Sequence, residues 1–126
     1  MRQSLDAALS TDERLVLDRF VSSLEVDLAD ELGAVWLFGS RARGDRERAE
    51  DSDIDVLVIA ADASWDAKLR IHALLEASAR ELQLEGTAWS FSIHVQTAEW
   101  LAQRREIRSF FIAEVDRDKI VLAGEA

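Results

Sequence analysis

A chain of 126 residues, 48% of them apolar, is long enough for one compact core and close to the usual size of a single domain. It has no cysteine, which excludes disulfides and thiolate metal sites, and no run approaching the roughly 18 apolar residues of a membrane span. The formal charge of −10, from 25 acidic against 15 basic residues, repels polyanions and disfavours general nucleic-acid binding, while a small anionic ligand carrying its own metal stays compatible. The opening "MRQSLDAALSTDER" lacks the apolar core of a signal peptide, so a soluble, cytoplasmic protein is expected.

With no proline and five glycines, the chain shows no linker or repeat, and its organisation has to be read from periodicity. Ser10 and Glu13 have the spacing of a capping box. Leu17, Phe20, Val21, Leu24, Leu28 and Leu32 follow at helical intervals, predicting a helix over 11–32 that ends at Gly33. "AVWLF" reads as a short buried strand closed by the Gly39-Ser40 turn, and "RARG" as one helical turn before a polar loop at 45–52. "DIDVLVIAA" is a strand that is apolar on both faces beyond Asp55, which places it centrally in a sheet.

Ser64 is positioned to cap a helix that carries Trp65, Leu69, His72 or Ile71, Leu75 and Ala79 on one stripe and ends near Gly86. "AWSFSIHVQ" alternates, with Trp89, Phe91, Ile93 and Val95 facing one way and Ser90, Ser92, His94 and Gln96 the other. Thr97 caps a helix "AEWLAQRREIRSFFIAEV", and "KIVLAG" is a short terminal strand. Apolar placement of Trp36, Trp65, Trp89 and Trp100 predicts packing roles for all four, and one of Phe110 and Phe111 is a candidate for exposure. This alternation of helices and strands is an α+β class with an α/β-like order.

The chemistry is concentrated in Phe38–Val56, "FGSRARGDRERAEDSDIDV". Gly39 and Gly44 have the spacing of a P-loop, but Asp45-Arg46 stand where Lys and Ser/Thr would be required. Asp51, Asp53 and Asp55 imitate an EF-hand, yet Val56 occupies the obligatory glycine position. What remains is a Gly-Ser turn followed by D-x-D at the start of an apolar strand. Carboxylates two residues apart on a strand lie about 6.5–7 Å apart along one face and can converge on hard cations such as Mg2+. Magnesium takes its other ligands from waters and substrate phosphates, so the pair points to phosphoryl transfer. The glycine admits close backbone approach to a phosphate, and the Ser40 hydroxyl can bind its oxygens.

On "FGSRARG" and "SDIDVLV" the chain resembles the polymerase-β-type nucleotidyltransferase superfamily, in particular the minimal nucleotidyltransferases that accompany HEPN-type toxins. "HVQTAEW" and "RDKIVL" add weaker support. The resemblance implies a nucleotidyltransferase fold, a small mixed β-sheet flanked by helices in one domain over 1–126. It implies that Gly39 and Ser40 hold the nucleotide phosphates, Arg41 and Arg43 lie beside them, and Asp53 and Asp55 are catalytic and bind Mg2+ or Mn2+. It also implies a nucleoside triphosphate donor, ATP foremost, and a HEPN-type toxin protein as partner. Two departures stand out: a longer loop between Ser40 and Asp53, and no evident third acid. Enzymes of this type carry that acid on the next strand, where this chain offers Ser90, Ser92 and His94, with Asp51 and Glu114 as other acids to weigh.

Two functions follow as expectations. One is metal-dependent transfer of a nucleoside monophosphate to a hydroxyl, with Ser92 or His94 at the third position. The other is a degenerate module that binds nucleotide or a partner without turnover. Arg46 and Arg48 are expected to pair with Asp45, Glu47, Glu50 and Asp51 in a solvated loop.

Overall fold

A computed structural model describes residues 5–44 and 53–126 of the chain. The expected pairings of Arg46 and Arg48, and Asp51 as a third acid, lie outside the described residues. The elements run α1 (Leu5–Ala8), α2 (Thr11–Leu28), β1 (Leu32–Phe38), α3 (Ser40–Arg43), β2 (Ile54–Ala60), α4 (Trp65–Glu81), β3 (Phe91–Gln96), α5 (Ala98–Glu106), α6 (Phe110–Asp118) and β4 (Ile120–Gly124). The strands form one sheet in the order β3-β2-β1-β4. β2 and β3 are parallel, whereas β1 is antiparallel to both β2 and β4, so the sheet is mixed.

Both faces of the central strands are buried, each by a different pair of helices. Ile54, Val56, Val58 and Ala60 of β2 and Val35 and Leu37 of β1 pack with Phe20 and Leu24 of α2 and Ile71 and Leu75 of α4. Leu57 and Ile59 join Ala34, Trp36 and Phe38 of β1 against Leu101 of α5 and Ile112 and Val115 of α6. The near-continuous apolar run of β2 is therefore the signature of a strand covered on both sides.

Helix starts follow their side-chain caps. Ser10 Oγ accepts from Glu13 N at 3.2 Å while Ser10 N donates to Glu13 Oε1 at 2.8 Å, a reciprocal capping box. Ser64 and Thr97 accept from Ala67 N and Trp100 N at 3.2 and 3.1 Å. These hydroxyls satisfy amides that have no partner inside their own helices.

Helix ends depart from the periodicity. The helix expected over 11–32 stops at Leu28, because Ala29 has φ 47 and Ala29–Glu31 form a 3-10 turn. Leu32 keeps the helical interval but pairs with Ala60 in the sheet, and Ala61 N donates to Glu31 O at 2.8 Å. α4 ends at Glu81, ahead of Gly86, with Gln83 rather than a glycine at φ 58. Its buried stripe is Ile71, Leu75, Ser78 and Ala79, and His72 is exposed.

Two tryptophans expected to pack are exposed, Trp65 at 72% and Trp89 at 89%. Trp65 is the first residue of α4, and Trp89 lies in a 3-10 turn (Glu85–Ser90) before β3 begins, so the alternation does not reach it. Trp36, by contrast, is fully packed, with Lys119 Nζ 3.7 Å from its ring centroid and its indole N–H donating to Glu125 O at 2.7 Å.

The helix expected across 98–115 is two helices. Arg108 takes φ 54, and Ser109 N donates to Arg104 O at 2.9 Å, which closes α5 and lets α6 fold back onto the sheet. Arg105 holds Asp116 with two hydrogen bonds, 3.0 and 2.7 Å, across the break. Those bonds keep Asp116 below the usual carboxylate range against the opposing effect of burial. Phe110 and Phe111 are both exposed, at 80% and 43%, where only one of the pair was expected to be.

The break can be tested at Arg108. A left-handed residue costs an L side chain roughly 1–2 kcal/mol, while glycine in a continuous helix costs about 1 kcal/mol. Arg108→Gly is therefore expected to leave stability unchanged or raise it in urea unfolding. A loss of about 1 kcal/mol would mean that the helix runs through residue 108.

Candidate active site

The site forms where β1 ends and β2 begins. β1 sets Phe38 opposite Asp55 in antiparallel register, and the chain then turns at Gly39 with φ 78. That left-handed value favours glycine on backbone grounds alone. A second demand falls on the same residue, because a Cβ on Gly39 would lie 2.5 Å from Asp55 Oδ2. The carboxylate occupies the space a side chain would take. Glycine was expected here for approach to a phosphate; the structure uses it first to seat Asp55.

α3 follows at once, closed by Arg43 N donating to Gly39 O at 3.1 Å and Gly44 N to Ser40 O at 2.9 Å. Ser40, half-buried, is the first residue of this turn. Arg43 is exposed on it. Arg41, expected beside the phosphates, is buried, and its guanidinium bonds Glu13 at 2.9 and 3.2 Å and Ala8 O at 3.2 Å. Burial pushes the Glu13 carboxyl up, but the Arg41 and Ser10 hydrogen bonds outweigh it and hold the group below its ordinary range. Glu13 thus caps α2 and anchors the site turn. Sequence reading detects only the first role, since Ser10-x-x-Glu13 names a cap and says nothing of a distant arginine.

Asp55 alternates with Ile54 and Val56, which are buried under α2 and α4, so its carboxylate emerges on the opposite face. The parallel register pairs Asp55 with Ser92 and Leu57 with His94, placing both β3 residues on that same face. His94 Nε2 lies 3.8 Å from Asp55 Oδ1 and 3.3 Å from Ser92 Oγ. The Phe38 ring packs edge-on against the imidazole, with centroids 5.3 Å apart, and Phe111 packs against Phe38 at 5.7 Å. These two phenylalanines, unmarked in the sequence as site residues, form the wall beside His94. Glu114 is half-buried on α6.

Asp53 is exposed immediately before β2. No three His, Cys, Asp or Glu side chains converge as a ready metal site among the described residues. Asp53 and Asp55 are the carboxylates that could hold magnesium or manganese here. Asp55 is only 29% exposed, and among the described residues its one ion-pair neighbour is His94 rather than a lysine or arginine. A half-buried carboxylate left without a firm cation is suited to a metal that brings its own waters and phosphates.

The polymerase beta nucleotidyltransferase family matches residues 25–112, which includes β1, the Gly39-Ser40 turn, both aspartates and β3. The chain belongs to that family. No curated protein matches it significantly. Among solved structures, a Sulfolobus solfataricus protein provisionally named a nucleotidyltransferase is similar with TM-score 0.53 and 18% identity, covering 97% of this chain and 91% of that one. A toxin–antitoxin structure with AMP-PNP gives TM-score 0.48 and 23% identity over 86% of this chain and 73% of that one. A mutant of the toxin–antitoxin MntA-HpeT gives 0.48 and 21% over the same shares. The mixed four-stranded sheet flanked by helices is thus the nucleotidyltransferase fold. No helix among the described residues is long and apolar enough to cross a membrane.

Gly39→Ala would add a strained backbone and a methyl group where Asp55 Oδ2 lies. The expected result is a loss of about 1–2 kcal/mol in urea unfolding, together with weaker Mn2+ binding by calorimetry. Unchanged metal affinity in a destabilised but folded variant would separate Gly39 from the carboxylate.

Proposed function

We propose that this chain transfers a nucleoside monophosphate from a metal-bound nucleoside triphosphate, ATP foremost, to a hydroxyl group, releasing pyrophosphate. The observation that carries the reading is the Asp55 carboxylate seated against Gly39 at the entrance of a strand paired with Ser92. Asp53 and Asp55 are the residues to hold Mg2+ or Mn2+. When bound, such an ion polarises the α-phosphate and stabilises the attacking and leaving oxygens. Gly39 leaves the Asp55 carboxylate the space it occupies, and Ser40 and Arg43 on the adjoining turn are the residues to hold the triphosphate. Arg41 acts from beneath, tying that turn to Glu13.

In this reading the acceptor hydroxyl is carried by another molecule. A protein hydroxyl, on a toxin of the HEPN kind that the sequence resemblance implies, is the proposed acceptor. Ser92 marks the limit on rate. Its neutral hydroxyl sits beside Asp55 where a third carboxylate would take the acceptor's proton, and general-base help is worth roughly 10²–10⁴ in rate. The same observation favours a second reading, a module that binds metal–nucleotide with little or no turnover.

The two readings separate on pyrophosphate release and on transfer of labelled α-phosphate to a co-expressed toxin or a panel of hydroxyl acceptors. Slow, metal-dependent transfer is expected. Asp55→Asn should reduce it at least about a hundredfold, the several kcal/mol a metal supplies, and Ser92→Asp should raise it roughly tenfold or more. Nucleotide binding without transfer in the parent and in Ser92→Asp would leave the binding module. Rapid transfer indifferent to Asp55 would contradict both.

A further inference from the structure

A second surface feature lies on the other side of the sheet from the candidate site. A cleft of about 560 Å3 opens beside α4 and the 3-10 turn that precedes β3, lined by the buried Leu75 and Phe91 and by Trp89. Phe91 packs with the α2 and α4 core, whereas Asp55 and its register partner Ser92 belong to the opposite face of their strands. The cleft therefore plays no part in the chemistry of Asp55.

Trp89 is 89% exposed, although aromatic side chains can bury roughly 150–250 Å2 each. Beside it lies a hollow of the size that accepts whole ligands, roughly 300–1,000 Å3. Projection and hollow thus share one patch. Two such patches related by a two-fold axis place each Trp89 in the cleft of the other copy, an isologous contact that closes at two. The charges at the cleft are self-complementary as well. Glu76, Arg80 and Glu85 line it, and among the described residues no side-chain hydrogen bond or ion pair holds any of them. Glu76 and Arg80 even have the one-turn spacing of a helical ion pair and do not form one. Copies of a chain with a formal charge of −10 repel on the whole, but here an unpaired arginine stands among unpaired glutamates. The cleft also adjoins an open edge of the sheet, since Phe91 begins β3, which pairs with β2 alone. Such edges are commonly covered.

We infer that this face is the interface of a homodimer, in which Trp89 of each copy enters the cleft of the other and Arg80 meets the other copy's Glu76 or Glu85. The indole supplies the apolar anchor that small interfaces depend on, and the reciprocal charges fix the orientation of the two copies. Because Asp55 lies on the opposite face of the sheet, the contact leaves it uncovered in both copies, and the inference does not depend on the proposed reaction.

Sedimentation equilibrium of the full chain from about 1 to 500 μM tests the interface across the affinities expected of a small contact. A monomer–dimer equilibrium is expected. Trp89→Ala should raise its dissociation constant roughly tenfold or more, and Trp65→Ala, at another exposed tryptophan, should leave it unchanged, both with the circular dichroism spectrum of the parent. Charge reversal gives a second, independent reading. Arg80→Glu leaves the three charges at the cleft all acidic, and Glu76→Arg with Glu85→Arg leaves them all basic. Each of these chains alone should be monomeric, and their mixture should form a one-to-one heterodimer. A monomer at every concentration overturns the inference and leaves the cleft to a different molecule. A dimer as tight in Trp89→Ala as in the parent, or in both charge-reversed chains taken singly, overturns it by placing the contact elsewhere.

Discussion

The close approach of Gly39 to the Asp55 carboxylate is the constraint on which the site depends. A side chain at residue 39 would stand in the place of Asp55 Oδ2, and the left-handed backbone there leads directly into α3. The antiparallel pairing of β1 and β2 sets Phe38 opposite Asp55, and burial of β2 on both faces leaves the strand no freedom to shift register. A one-residue slip would turn Asp55 into the core and expose Ile54.

The turn is anchored from the far side as well. Arg41, one residue beyond Ser40, is buried against Glu13, so the first turn of α2 and the Gly39-Ser40 turn are tied together. A buried pair of this kind contributes little net stability, but losing one partner leaves an uncompensated charge, which makes the geometry hard to abandon. The cost of burying an arginine is met here by positioning. The resemblance had assigned Arg41 to phosphate, and its neighbour Arg43 is the exposed cation on this turn.

The strands and the chemistry-bearing turn were legible in the sequence because each rests on a local signal. β2 announces itself by an apolar run after D-x-D, β3 by alternation from Phe91 to Gln96, and the helix starts by Ser10, Ser64 and Thr97. Helix ends were not legible, since Ala29, Gln83 and Arg108 adopt positive φ without being glycine. There tertiary pairing, as between Leu32 and Ala60, overrides the local pattern. Trp65 and Trp89 misled for a related reason: composition marks them as core residues, and only their position at the edge of an element leaves them exposed. The contacts of His94 with Asp55 and Phe38 depend on parallel register, which no period in a single strand encodes.

The proposed reaction requires a metal-bound triphosphate between the Gly39-Ser40 turn and the entrance of β2. Anomalous diffraction from crystals grown with Mn2+ and a non-hydrolysable ATP analogue tests it most directly. A manganese peak within bonding distance of Asp55, with phosphate oxygens against Gly39 and Ser40, is the expected result. Nucleotide bound elsewhere on the chain, or manganese remote from Asp55, would contradict it.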